Sequence, residues 1–217
     1  MKANYTDINI VLDRSGSMAT VQQDTIGGFN TFLAKQKAEA GEATLTLHQF
    51  DDQFETTFDN VAIADVPDLT NLTFVPRGWT ALYDAIGMSI VKAGIRLGAM
   101  KEEDRPSKVI FVILTDGDEN RSSEYDGIKI NAMIKEQTDK YNWDFVFLGA
   151  NQDAIKTGAT LGIKGGMAMS YSSNVAGSAA VFDTISTKMS SYRSMVSSDT
   201  SLKSNFFDDN DRSAAIQ

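Results

Sequence analysis

Apolar and polar positions alternate along the chain in two periods. Ile8-Asn9-Ile10-Val11-Leu12 is a short apolar run ending on Asp13-Arg14-Ser15-Gly16, which predicts a strand entering a loop. From Met18 to Ala40 the apolar positions Val21, Phe29, Phe32 and Leu33 lie among helix formers, and Gly41 is a fitting stop. Ala43 to Phe50 alternates and is rich in threonine. Asp51-Asp52 can turn it into a second strand over Glu55–Ile63, so a hairpin with one antiparallel strand is expected. Residues 64–78, with Pro67 and Pro76, read as a surface loop. Leu82, Ile86, Ile90, Ala93 and Leu97 then mark one face of a helix from Ala81 to Met100.

Val109-Ile110-Phe111-Val112-Ile113-Leu114 is apolar throughout, as in a parallel strand covered on both faces. A helix over Tyr125–Lys140, a strand over Asp144–Leu148, a short helix over Gln152–Leu161, a weak strand at Ala168–Tyr171 and a helix over Val175–Val196 follow. This alternation predicts an α/β fold: a doubly wound, mostly parallel sheet with one antiparallel edge strand and helices on both faces. Residues 1–196 are read as one domain. Residues 197–217 are polar and aperiodic, and are read as a flexible or partner-ordered tail in which Phe206-Phe207 is an apolar pair suited to docking back.

Composition narrows the chemistry. Twenty Lys and Arg against 29 Asp and Glu give a net charge of −9, which disfavours nucleic acid and anionic membranes as partners. There is no cysteine, so thiol nucleophiles, disulfides and cysteine-held metals are excluded, and a single histidine, His48, excludes any two-imidazole site. No apolar run is long enough to span a bilayer, and Met1–Asp13 lacks signal-peptide features; the expectation is a soluble, cytoplasmic protein.

In an open α/β sheet, ligands sit beyond the carboxyl ends of the strands where the winding reverses. Three polar loops fall at such positions: Asp13-Arg14-Ser15-Gly16-Ser17, Gly78-Trp79-Thr80-Ala81 before a helix, and Thr115-Asp116-Gly117-Asp118-Glu119-Asn120. If their strands are neighbours, the loops meet. Two carboxylates (Asp13, Asp116) and three hydroxyls (Ser15, Ser17, Thr80) form a hard oxygen set suited to Mg²⁺, Mn²⁺ or Ca²⁺, with room for an external oxygen. Gly16 is expected to let the first loop turn tightly, with both serines inward.

Asp13-x-Ser15-x-Ser17 with Thr80 and Asp116, together with the words DRSGSM, GWTALYDAI and VIFVILTDGDEN, resembles the metal-ion-dependent adhesion site of von Willebrand factor A domains. The resemblance spans residues 5–170 and reaches toward the last helix. It implies that Ser15, Ser17 and Thr80 are direct or near-direct metal ligands. It further implies that Asp13 and Asp116 act through ordered waters, and that a Glu or Asp of a partner protein takes the open position. The stand-alone intracellular type it suggests is similar to members tied to tellurite-resistance-like stress systems or working with AAA+ ATPases.

Blander roles stand beside these. Thr80 could be a helix N-cap, Asp116-Gly117 a turn, and Asp84, Asp118 and Glu119 a solvated rim or helix start. His48 reads as a packed or surface histidine, Trp79 as a recognition or a packing aromatic, and Arg14 and Arg77 as groups that attract an acidic partner or sit in solvent. The methionines, including Met88, Met100, Met133 and Met189, read as core. The leading expectation is a non-enzymatic binding module. A Mg²⁺-dependent hydrolase or phosphotransferase is the alternative, weakened by the missing phosphate loop, nucleophile elbow and second carboxylate after Asp13; a small-molecule or nucleotide binder is a third reading.

Overall fold

The computed structural model describes residues 1–150, 153–196 and 205–216. Six strands form one mixed sheet: β1 (Lys2–Asp13), β2 (Glu42–Phe50), β3 (Phe54–Ala62), β4 (Pro106–Thr115), β5 (Asp144–Ala150) and β6 (Ala168–Tyr171), in the order β3-β2-β1-β4-β5-β6. Every pairing is parallel except β2–β3, the expected hairpin, which makes β3 the antiparallel edge strand. The helices are α1 (Gln22–Ala38), α2 (Leu82–Ala99), α3 (Gly127–Tyr141), α4 (Ala154–Thr160), α5 (Val175–Ser194) and α6 (Asp209–Ala215). This is the doubly wound α/β class that the alternation of patterns predicts.

Strand β1 sits between β2 and β4, and it begins six residues earlier than its apolar run. The polar residues that hid this stretch are satisfied within the fold. Buried Asp7 pairs with Arg96 of α2 (2.8 Å) and accepts bonds from Asn9 (3.1 Å) and Thr44 (3.2 Å). A buried carboxylate with a cation and two donors is tolerated where an unpaired one would not be. The opposite face of β1 packs Ile10 and Leu12 against Phe29 and Phe32 of α1 and Phe182 and Ile185 of α5. Asn131 of α3 donates to the Thr160 carbonyl at the end of α4 (2.8 Å).

Some boundaries differ from the expected ones. The first helical stretch is split: Gly16–Val21 is a 3-10 turn before α1. Helix α5 stops at Ser194 rather than Val196, which is 71% exposed. The Lys108 ammonium donates to the carbonyls of Tyr192 (2.9 Å), Arg193 (2.6 Å) and Met195 (2.6 Å), a cationic stop at the negative end of the helix. Of the methionines expected in the core, Met189 is fully buried, whereas Met100 and Met133 are only partly buried at the edge of the core. Gln152, the expected start of the short helix, lies outside the described residues, as do residues 197–204.

The expectation of a flexible tail needs correction over residues 205–216. Phe206 and Phe207 are buried, with Phe206 edge-on to Tyr192 at 6.4 Å, and α6 follows them. Arg212 donates to the Ala168 carbonyl (2.5 Å), and the Ala215 carbonyl accepts from Ser172 N–H (2.9 Å). Seven residues cannot hold a helix through propensity alone. Here a capping box between Asp208 and Asp211 and the docked phenylalanines supply what periodicity lacks.

Candidate metal centre

β1 and β4 are neighbours, and the chain winds away from them in opposite directions: β1 leads to β2 and β3, β4 to β5 and β6. Asp13 and Thr115 therefore end adjacent parallel strands at the switch point. Asp13 is fully buried, Ser15, Thr80 and Asp116 are buried, and Ser17 is exposed, so the group lies in a shallow recess open at Ser17.

A chain of hydrogen bonds joins four of the five predicted residues. The Ser15 N–H donates to Asp13 Oδ1 (2.7 Å), Ser15 Oγ lies 3.1 Å from Ser17 Oγ, and the Ser17 hydroxyl donates to Asp116 Oδ1 (2.6 Å). Thr80 comes in from above Gly117: a Cβ at that glycine would lie 3.3 Å from Thr80 Oγ1 and 3.9 Å from Ser17 Oγ. All five residues named from sequence are thus brought to one place.

Thr80 is not a helix cap. The N-cap of α2 is Ala81, and the orphan amides of the first turn are met from the 119–122 loop: Tyr83 N–H donates to Glu119 Oε2 (3.0 Å) and Asp84 N–H to Ser122 Oγ (3.0 Å). Asn120 clamps the Thr80 backbone in both directions, at 2.9 and 3.0 Å. Among the described residues nothing is hydrogen-bonded to the Thr80 hydroxyl, which is left for the recess. Asp84 orders the 123–125 backbone rather than facing solvent, accepting three amides at 2.8 to 3.0 Å.

Gly16 does not serve as a positive-φ turn. Its N–H reaches the Gly78 carbonyl at 3.2 Å, and a Cβ there would meet that same oxygen at an ordinary contact distance of 3.5 Å, so the two loops meet at Gly16 without a steric need for glycine. Gly78 is the one with positive φ (67°), and a Cβ on it would collide with Asp52.

The electrostatics are those of a cation site. Burial pushes the Asp13 carboxyl up to about 6, against bonds from Thr115 and Ser15 that pull it down, and the negative charge of Asp116 adds to the rise. Burial also raises Asp116, opposed by the Ser17 and Ser173 hydroxyls. Among the described residues neither carboxylate has an ion pair with a Lys, Arg or His. Two neighbouring buried carboxylates and three hydroxyls, with no nitrogen or sulfur, fit a hard dication. No group of three or more His, Cys, Asp or Glu suited to a metal is found among the described residues; the set rests on two carboxylates and hydroxyls.

The surroundings hold residues that sequence reasoning did not single out. The Thr115 hydroxyl donates to Asp13 Oδ2 (2.6 Å) and fixes its second oxygen. Arg14 is buried and Arg77 half-exposed, and both pair with Asp51 and Glu55. No spacing signal could reveal those pairs, because they join residues 22 to 41 positions apart. Trp79 is 64% exposed, which removes the packing role for it.

No family model and no curated protein matches the sequence. Solved structures do resemble the fold. The pilus adhesin SpaC of Lactobacillus rhamnosus GG matches with a TM-score of 0.65 at 13% identity, over 88% of this chain and 30% of that one. The mussel byssus proximal thread matrix protein 1 with a zinc-occupied MIDAS motif matches with 0.58 at 13%, over 84% and 47%. The vWF domain of the Porphyromonas gingivalis pilus tip protein Mfa5 matches with 0.55 at 12%, over 87% and 96%. The fold is that of von Willebrand factor A domains. The chain spans about half the length of the mussel protein. Among the described residues no helix is long and apolar enough to cross a membrane.

Proposed function

We propose that this chain is a divalent-metal-dependent protein-binding module and not an enzyme. In this reading Asp13, Ser15, Ser17, Thr80 and Asp116 hold Mg²⁺, with Mn²⁺ or Ca²⁺ as substitutes, and an acidic side chain of a partner protein completes the site. The observation that carries it is the gathering of these five oxygen donors around two carboxylates that, among the described residues, have no ion pair with a cationic side chain. A hard dication there supplies a Lewis-acidic centre able to attract an external carboxylate.

The chain's own residues do the rest. Thr115 and the Ser15 amide hold both oxygens of Asp13, Ser17 holds Asp116, and Asn120 fixes the backbone that carries Thr80. Trp79, exposed next to Thr80, offers apolar surface beside the recess. His48 gives no support to acid–base turnover, since it is buried against Phe54 and bonded to Thr56. The MIDAS of the structurally similar mussel protein holds zinc, which supports a divalent cation without naming Mg²⁺. A cytoplasmic setting, and a partner from an AAA+ ATPase or stress-response system, belong to the same proposal and rest on the sequence resemblance.

The test is thermal unfolding with Mg²⁺ or Mn²⁺ against EDTA. A ligand of the native state at a hundredfold excess over its Kd adds about 2.7 kcal/mol, which is about 5–10 °C for a chain of this size. Ser17→Ala and Asp116→Ala should fold but lose that gain. Equal melting of the wild type in saturating metal and in EDTA would sink the metal reading. A pull-down in Mg²⁺ with wild type and Asp13→Ala then identifies partners that require the site.

A further inference from the structure

Three loops carry the five oxygen donors, and something must hold the first two in register to within the few tenths of an ångström that a metal site tolerates. Two backbone bonds join them directly, Gly16 N–H to the Gly78 carbonyl (3.2 Å) and Arg77 N–H to the Arg14 carbonyl (2.8 Å). Beneath both lies Asp51, fully buried in the turn between β2 and β3.

Asp51 serves four elements at once. Its Oδ2 accepts Arg14 Nε (3.0 Å) from the loop of Ser15 and Ser17, and Arg77 Nε (2.9 Å) from the loop of Thr80. Its Oδ1 accepts Gln53 N–H (2.6 Å), which closes the hairpin turn, and its carbonyl accepts Ala81 N–H (2.9 Å) at the start of α2. Glu55 repeats the bridge with its two oxygens, to Arg14 Nη1 (2.6 Å) and Arg77 Nη2 (2.8 Å). Each arginine is within three residues of a candidate ligand: Arg14 adjoins Ser15, and Arg77 precedes Thr80.

We infer that Asp51, with Arg14, Arg77 and Glu55, is a positioning network that sets the Ser15–Ser17 loop against the Thr80 loop and thereby sets the affinity of the metal site. The inference rests on the metal reading above and adds the residues that tune it. None of the four offers an oxygen to the recess; they act through the loops. The two guanidinium and two carboxylate charges cancel, so the network is a neutral clamp. Its one unsatisfied atom, buried Arg14 Nη2, is the cost of directing the other two nitrogens at both acids.

Mn²⁺ binding by isothermal titration at 20 °C tests this, on proteins whose far-UV circular dichroism matches the wild type. Loss of groups that orient ligands typically weakens metal affinity 10- to 100-fold. Arg77 is half-exposed, so Arg77→Met should fold, with little change in melting in EDTA and a Kd raised about tenfold. Arg77→Lys keeps the charge and should restore part of the affinity, and Asp51→Asn, where it folds, should cost more than Arg77→Met. A purely structural role would lower melting in EDTA and leave the Kd alone. A Kd within twofold of wild type in Arg77→Met overturns the inference. Failure of the wild type itself to bind Mn²⁺ overturns the metal reading, and the inference with it.

Discussion

His48, the chain's only histidine, shows how burial fixes a protonation state. Its ring lies 4.8 Å from that of Phe54, and its Nδ1 is 3.1 Å from Thr56 Oγ1. Burial, then the positive charges of Lys92 and Arg96, push its pKa down to about 3. The folded ring is neutral down to that value, while the unfolded chain takes up a proton near pH 6.5. The unfolded state therefore binds the extra proton between these limits. The stability that His48 confers is present above about pH 6.5 and lost as pH falls toward 3. By pH 5 the loss relative to pH 7 should be about 2 kcal/mol, and His48→Gln should lack it. Urea unfolding of both proteins at pH 7, 6 and 5 decides this, and parallel curves would refute it. At the same scale, the gathering of the five candidate residues was legible because each sits within a few positions of a strand or helix end. Thr115 was not, because its bond to Asp13 spans 102 positions and a threonine closing an apolar strand carries no signal of its own.

Among elements, the central strands and long helices were readable from period alone, and what escaped was held by contacts distant in sequence. The N-terminal half of β1 reads as polar until Arg96 is brought to Asp7. α6 reads as tail until Phe206 and Phe207 are seen buried. The second case has a consequence for the edge of the sheet. β6 is the edge strand opposite β3, and its backbone is an open template for pairing with other chains unless something covers it. The Arg212 guanidinium and the Ala215 carbonyl engage it at either end, at 2.5 and 2.9 Å. Phe206→Ala should therefore cost about 3–5 kcal/mol if the segment unfolds only with the whole chain. If the segment can detach alone, the cost should be smaller and accompanied by self-association. Urea unfolding together with light scattering separates the two, and wild-type values in both would show that the segment contributes nothing.

On the scale of the whole molecule, two regions should respond differently to a metal. The recess lies beyond the carboxyl ends of β1 and β4, whereas α6 packs on β6 at the sheet edge and supplies no candidate ligand; the two meet through residues 171–173, where Tyr171 donates to the Thr115 carbonyl (3.4 Å) and Ser173 bonds Asp116. A native-state ligand raises the free energy of every opening that breaks its site, and of no opening that spares it. Amides of the loops at 13–17, 77–81 and 116–120 should thus gain protection from hydrogen exchange when Mg²⁺ or Mn²⁺ is added. Core amides of β1 and β4, which exchange by global unfolding, should gain the same free energy that the melting shift reports. Amides of α6 should gain nothing wherever that helix opens by itself. Protection that rises equally in all three regions would mean that the α6 edge opens only with the site, making the fold one cooperative unit. Protection unchanged in the loops, with the protein otherwise stabilised, would place the metal somewhere other than among Asp13, Ser15, Ser17, Thr80 and Asp116.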